Sequence, residues 1–242
     1  MALLTGHTTA FARDTFSSGS GQPHPLGTAG FTKDGRRFRF AQAGASDTVA
    51  GNLLQSAAPI ANHLANTAPA VAIGATSFTY TPGATAGAAN LYAEGYLQVD
   101  TTPGLGYTYQ VSGHAAISSS TAFTLYLVDA IQVALTTTSR IGLRHNLYKN
   151  VIQSPTTKTA QHVGVSPTIL TAAQYGWIST FGPASVLING TPAVTAPVLN
   201  GVTVAGSVDV WTAGAQPTAT YVGEMMQLGV DTKANFVFVR LD

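Results

Sequence analysis

The run YGWISTFG, residues 175–182, opens the clearest series of strand signals in this chain of 242 residues. Four more runs follow it: ASVLINGTPAV at 184–194, NGVTVAGSVDVWTAG at 200–214, ATYVGEMMQLG at 219–229 and NFVFVRL at 235–241. Each run joins β-branched and aromatic residues to flanking turn residues, at a spacing of roughly 10 to 12 residues. Asn189-Gly190 and Asn200-Gly201 predict hairpin turns. The pattern predicts an all-β fold, a jelly-roll-like sandwich or barrel.

The middle of the chain gives weaker signals. Residues 76–114 place β-branched and aromatic residues between Gly-rich turns, which is typical of strands. The apolar residues between Leu53 and Leu64 predict a short helix, limited by nearby prolines. In residues 121–137 the apolar residues alternate, which predicts two strands or one bent strand, with a helix as the alternative.

The first 29 residues predict an extended N-terminal arm. The stretch TFSSGSGQPHPLGTAG, residues 15–30, is rich in Gly, Ser and Pro and has no sustained period. Such an arm either is disordered or lies across a neighbouring molecule. The remaining residues, 30–242, predict a β-rich body, which can also be divided into sub-domains 30–145 and 146–242.

The stretch GFTKDGRRFRFAQAG, residues 30–44, concentrates charge in a chain of which only 9% is charged. Five of the seven residues from 33 to 39 are charged. Within it, Asp34-Gly35 predicts a two-residue hairpin turn, because a type I′ turn needs two positive φ angles. That turn would place Phe31 opposite Phe38.

The two faces of this hairpin differ in chemistry. Phe31, Phe38 and Phe40 are expected on one face, which docks on the core, and Arg37 and Arg39 on the other. The arginine face is either a solvated edge-strand surface, where charge prevents aggregation, or a surface that meets an acidic partner. The second interpretation gives five candidate binding residues: Arg13, Lys33, Arg36, Arg37 and Arg39.

Composition excludes several classes of protein. The absence of cysteine excludes disulfide scaffolds, thiol catalysis and Cys-type zinc sites. A net charge of +1 argues against nucleic-acid binding. No run of 18 apolar residues is present, so no membrane span is expected. The N-terminus MALLTGHTTAFARD lacks the basic and apolar regions of a signal peptide, which predicts synthesis in the cytoplasm without export.

Catalytic signatures are also missing from the sequence. The chain has no G-x-S-x-G elbow, P-loop, HExxH or EF-hand spacing, and its six histidines are spread singly. We therefore expect no enzyme activity, no metal site and no cofactor. The aromatic group of Tyr175, Trp177 and Phe181 gives two interpretations, core packing or a sugar platform, of which core packing is favoured.

Several segments resemble those of tailed-bacteriophage capsid decoration, or cement, proteins. They are DGRRFRFAQAG with VAGNLLQ near the N-terminus, then NLYKNVIQSP, HVGVSPTILTAAQYGWISTFGPASVLINGT, AGSVDV and VGEMMQLGVD with FVFVRL. The resemblance covers about half of the chain, at its two ends.

This resemblance implies a non-enzymatic structural protein on the capsid exterior. It implies a homotrimer, made in the host cytoplasm, that is seated at local symmetry axes and bridges subunits of the major capsid protein. The competing function is a host-recognition module, such as a fibre tip, in which Trp177 and neighbouring loops bind surface glycans.

Overall fold

The computed structural model describes residues 16–211 and 219–242, and the chain divides into two compact units. Unit 1 comprises Met1–Ala57 and Leu147–Asp242, and unit 2 comprises Ala58–Asn146. Strands make up 40% of the chain and helices 2%, so the predicted all-β fold is confirmed. The expected sub-domain 30–145 is not the unit observed, because residues 30–57 fold with the C-terminal part of the chain.

The described residues form seventeen strands, of which β5 to β10 belong to unit 2. In chain order they are β1 (Ser18–Gly19), β2 (Ala29–Phe31), β3 (Arg37–Gln42), β4 (Leu53–Gln55), β5 (Asn66–Thr67), β6 (Ser77–Tyr80), β7 (Tyr96–Val99), β8 (Thr108–His114), β9 (Phe123–Leu127), β10 (Arg140–Arg144), β11 (Ile152–Gln153), β12 (His162–Val165), β13 (Tyr175–Asn189), β14 (Pro197–Asn200), β15 (Val208–Val210), β16 (Tyr221–Met225) and β17 (Ala234–Arg240).

Five strands of unit 1 close into a barrel. The ring runs β13, β15, β14, β16, β17 and back to β13, with β13 and β15 parallel and the other pairs antiparallel. A closed ring leaves no free edge within it. Inward side chains are mainly β-branched and fully buried, such as Val186, Ile188, Val208, Val237 and Val239. The barrel alternative of the prediction therefore describes this part of unit 1.

The fifteen-residue strand β13 joins the barrel to the rest of unit 1. Its first half pairs with β1, β3 and β12, and its second half with β15 and β17. The register with β3 shifts between Ser179 and Phe181, which inserts one extra residue as a β-bulge. Gly182 follows with a φ of +97°, a value that favours glycine. The runs YGWISTFG and ASVLING are thus one bent strand rather than two.

The described part of the predicted arm packs on its own body. Ser18 and Gly19 pair with Gly176 and Tyr175 of β13. Leu26 is buried, in one cluster with Phe40 and Trp177. The arm prediction is therefore wrong for residues 16–29, since the proline-rich chain follows the sheet, and residues 1–15 lie outside the described part.

The charged hairpin forms, but with a different turn and register. Gly35 donates its N–H to Thr32 O at 3.0 Å and has a φ of +87°, so Lys33, Asp34 and Gly35 form a three-residue loop. Phe31 consequently lies opposite Arg37, one residue away from the predicted pairing with Phe38. Because paired residues share a face, Phe31 lies on the arginine side.

Two other hairpin predictions have mixed outcomes. Asn189 ends β13 without a hairpin, because β13 pairs there with the parallel strand β15, and Gly190 N–H donates to Asp231 Oδ1 at 2.6 Å. Asn200 does end the first strand of a hairpin, β14 with β15, but the connecting loop spans residues 201–207.

Unit 2 is an insertion in the chain of unit 1. The chain leaves unit 1 after β4 and returns before β11, and these two strands pair antiparallel, Leu54 with Gln153. Loop tips between paired strands tolerate such insertions. The predicted helix between Leu53 and Leu64 is wrong: β4 is a buried strand, and only Ala61–His63 forms a single 3-10 turn.

Unit 2 contains a six-stranded sheet in the order β5, β10, β7, β8, β9, β6. Strand β7 alternates exposed and buried residues, with Leu97 and Val99 buried, whereas β10 buries three consecutive residues, 141–143. The alternation predicted for residues 121–137 is confirmed only in β9, since the chain after Leu127 is a loop that buries Ile131 and Leu135. No helix among the described residues is long and apolar enough to cross a membrane.

Barrel closure makes Gly223 of β16 sensitive to substitution. A Cβ atom at this position would lie 2.1 Å from the backbone oxygen of Phe238, so Gly223→Ala must push β16 away from β17. We expect a loss of about 2 kcal/mol or more in the free energy of unfolding, measured by urea denaturation. Gly21→Ala is the control, because a Cβ there meets nothing within 4 Å. Equal effects of the two substitutions would contradict this description of the barrel.

Candidate functional site

Arginine and phenylalanine side chains form a continuous surface where the charged hairpin meets the barrel. Phe181 of β13 pairs with Arg37 on one side and with Arg240 on the other. We call this surface the arginine–aromatic face, and it consists of Arg36, Arg37, Phe181, Phe236, Phe238 and Arg240. All six residues belong to unit 1.

The cations of this face lie over aromatic rings. The Arg37 guanidinium carbon is 4.7 Å from the Phe181 ring centroid, and that of Arg240 is 5.3 Å from the Phe238 centroid. The Phe181 and Phe238 rings meet edge to face at 5.2 Å. Each cation–π contact at an exposed site contributes about 0.5–1 kcal/mol, enough to orient the guanidinium without removing it from solvent.

The β17 part of this face was not among the residues predicted from the sequence. The run NFVFVRL has a period of two, which places Phe236, Phe238 and Arg240 on one side of a strand. The buried side carries Val237 and Val239. What the sequence did not indicate is that this strand lies next to β13, and so beside the charged hairpin.

The charges of the face, and that of the adjoining hairpin residue Lys33, are only partly neutralised within the described residues. Arg36 Nε donates to Asp34 Oδ2 at 2.8 Å, and Arg240 lies 3.5 Å from Glu224. Lys33 and Arg37 form no ion pair within residues 16–211 and 219–242. These two exposed cations are therefore available to an external anion.

Arg39 has a structural role instead. Its Nε and Nη2 donate to the two carboxylate oxygens of Asp242 at 2.9 and 2.6 Å, and its Nη1 donates to Gly27 O at 3.0 Å. Three hydrogen bonds hold the guanidinium in place, so the predicted binding role of Arg39 is not favoured. Arg13, the remaining predicted binding residue, lies outside the described residues.

The aromatic group around Trp177 is a core cluster. Trp177 is 4% exposed, and its ring contacts Phe40 edge to face at 5.3 Å. Tyr175 stacks on Phe40, with ring centroids 6.0 Å apart. A buried indole cannot present a sugar platform, so core packing, the favoured interpretation, explains Trp177.

Ser154 and His162 form a serine–histidine pair, but its geometry is that of packing. Ser154 Oγ and His162 Nε2 are 2.9 Å apart, and Ser154 is 1% exposed. His162 Nδ1 has no hydrogen-bond partner in the described part of the chain, so no third group orients the ring. No group of three or more His, Cys, Asp or Glu side chains able to hold a metal ion occurs there either.

Comparisons with protein-family models, with curated proteins and with solved structures found no match to this chain. Its function is therefore argued from the geometry of its own residues.

The contrast between Arg39 and Arg37 predicts different effects on stability. Arg39→Ala removes a two-bond pair with Asp242 and leaves Gly27 O without its donor, so we expect a loss of about 1–2 kcal/mol in the free energy of unfolding. Arg37→Ala removes a single exposed cation–π contact and should change it by less than about 1 kcal/mol. Chemical denaturation of both variants measures the difference, and a larger loss for Arg37→Ala would refute these assignments.

Burial makes His162 a source of acid sensitivity. Desolvation, and then the charge of Lys158, lower the pKa of His162 to about 4. The unfolded chain takes up this proton near pH 6.5, so the free energy of unfolding should fall as the pH drops from about 6.5 to about 4. With solvent screening we expect a loss on the order of 1–2 kcal/mol.

The control for this prediction is His162→Gln, which cannot titrate. Unfolding curves of both proteins at several pH values between 4 and 7 measure the effect. If the free energy of unfolding depends on pH equally in both proteins, His162 is not the source of the acid sensitivity.

Proposed function

We propose that this chain is a structural virion protein that binds the outside of a phage capsid and stabilises it by bridging capsid subunits. The observation that supports this most is the exposed arginine–aromatic face, where Arg37 and the adjoining hairpin residue Lys33 form no ion pair within the described residues. Arginine and aromatic residues are enriched at protein interfaces and among the residues that dominate binding energy. The partner is the major capsid protein.

Charge on the hairpin supports an acidic partner. Lys33, Arg36 and Arg37 carry three positive charges and Asp34 carries one negative charge, a local net charge of +2. The whole chain carries only +1, so this stretch is more positive than the chain as a whole. These charges orient the protein on its partner, and apolar contact supplies most of the affinity.

Several copies are needed for firm attachment. An exposed ion pair contributes only about 0.2–1 kcal/mol, so one copy held by two or three such pairs dissociates readily at physiological salt. A homotrimer that presents three faces to a lattice gains affinity because the second and third contacts are intramolecular. Residues 1–15, with Arg13, supply a further contact in this proposal, and their fully extended length is roughly 50 Å.

A second candidate function is glycan binding by a host-recognition module, and unit 2 rather than Trp177 supports it. The outward residues of its sheet include the exposed tyrosines Tyr96 and Tyr126 and the polar residues Gln98 and Thr108, with Arg144 opposite Tyr96. Aromatic rings beside hydroxyl and amide groups suit a neutral sugar.

The capsid proposal is tested with the double variant Lys33→Ala/Arg37→Ala. We expect it to bind capsids stripped of this protein roughly 2- to 30-fold more weakly at low salt, because two ion pairs are lost. In 0.5 M salt the difference should shrink, because a Debye length below about 5 Å screens the pairs in the wild type as well. Co-sedimentation with the capsids measures the binding.

Lys233→Ala is the matched control, since it removes an exposed cation of unit 1 outside the arginine–aromatic face. Unchanged binding by the double variant at low salt, or equal weakening at both salt concentrations, would refute the electrostatic part of the proposal. Failure of the wild type to bind capsids, together with binding to a glycan array, would favour the second candidate.

A further inference from the structure

A cleft of about 350 Å³ opens in unit 1 beside the arginine–aromatic face. Its walls are mainly apolar, and they come from the chain near residue 50, from β12, β13 and β17 and from the hairpin. Its lining includes Phe16, Arg36, Phe38, Ser179, Ser185 and Phe236. The volume lies at the lower end of the range for ligand sites, roughly 300–1,000 Å³.

Two aromatic side chains of the cleft are unusually exposed to solvent. Phe16 is 56% exposed and Phe236 is 54% exposed, although Phe38 in the same lining is buried. An apolar side chain seated in the cleft would remove part of both rings from water, at about 25 cal/mol per Å² of apolar surface. The cleft is therefore suited to an apolar group of about the size of one side chain.

The cleft also contains a buried hydroxyl that lacks a partner. Ser179 is 3% exposed, and its Oγ makes no hydrogen bond within residues 16–211 and 219–242. Buried polar atoms are normally hydrogen-bonded, because an unsatisfied one costs about 1–3 kcal/mol. A ligand with a backbone carbonyl or N–H near this hydroxyl would supply the bond.

Arg36 adds a positive charge to the lining. Its Nε donates to Asp34, and its two terminal nitrogens make no hydrogen bond within the described residues. Its guanidinium carbon lies 5.7 Å from the Phe38 ring centroid, so the charge adjoins the apolar wall. With Lys33 and Arg37 on the same hairpin, the local charge of +2 favours a carboxylate.

We propose that the cleft binds an extended segment of the partner protein, in which an aromatic side chain is followed by an aspartate or glutamate. The ring packs between Phe16 and Phe236, the segment's backbone bonds to Ser179 Oγ, and the carboxylate pairs with Arg36. The inference rests on the proposed function, since it names the chemistry of the partner at the same surface. An aromatic–acidic pair matches the cleft because its ring meets the apolar wall and its carboxylate meets the positive charge of Arg36.

The test uses synthetic peptides, so it is independent of capsids. Acetyl-Gly-Phe-Asp-Gly-amide is titrated into ¹⁵N-labelled full-length protein, with the Gly-Ala-Asp-Gly and Gly-Phe-Asn-Gly analogues as controls. We expect the first peptide to bind with a dissociation constant on the order of 0.1–1 mM and each analogue to bind at least about fivefold more weakly. The shifted amide signals should include Ser179 and Phe236.

Variants locate the binding. Ala50→Trp and Ser185→Trp fill the cleft from two exposed lining positions and should abolish measurable binding, while Ala45→Trp, at an exposed position outside the lining, should not. Ser179→Ala should weaken binding about 2- to 10-fold through loss of one hydrogen bond. Two blocking variants are used, so that if one of them misfolds the other still tests whether the peptide binds in the cleft.

Four results would overturn the inference. The first is no binding of the Phe-Asp peptide up to about 10 mM, and the second is binding by both blocking variants that equals that of the wild type. The third is binding at least about tenfold tighter by a chain that begins at Phe16, which would assign the cleft to residues 1–15 of this protein. The fourth is self-association that both blocking variants abolish, which would assign the cleft to a second copy. Capsid binding that persists without peptide binding would overturn this inference alone.

Discussion

The pairing of strand β13 with two different sets of neighbours is the constraint on which unit 1 depends. Fifteen consecutive residues, Tyr175–Asn189, pair first with β1, β3 and β12 and then with β15 and β17. A straight strand could not pair with both sets of neighbours. The bulge before Phe181 and the positive φ of Gly182 bend the strand. That bend places Phe181 between Arg37 and Arg240, so the same irregularity that closes the barrel also assembles the arginine–aromatic face.

Local sequence patterns predicted the fold class but not the order of the strands. Local signals predicted individual elements. The alternating residues of β9 and β17 predicted strands, the dipeptide Asp34-Gly35 predicted a hairpin, and all three are present. The register failed because Gly35 ends a three-residue loop, which the dipeptide alone does not distinguish from a two-residue turn. The insertion of unit 2 between β4 and β11 was hidden, since pairing across roughly 100 residues leaves no local pattern.

The candidate site was predictable only in part. The concentration of charge in the sequence indicated Lys33, Arg36 and Arg37, because charged side chains are rarely buried. It did not indicate that Arg39 pairs with Asp242, which is 203 residues away in the sequence. The sequence predicts that Phe236 and Phe238 share one face of a strand. Their position beside the hairpin is known only from the structure, because it depends on the closed barrel.

Unit 1 thus combines a rigid β framework with a small charged and aromatic surface, which we propose as the surface that binds a partner. The most direct test of that proposal is a cryo-electron microscopy reconstruction of phage particles mixed with the purified protein. We expect copies on the capsid exterior, with the arginine–aromatic face turned toward the capsid and Arg37 within about 4 Å of an acidic residue of the major capsid protein. Copies at a fibre tip, or a capsid-bound copy with this face turned to solvent, would contradict it.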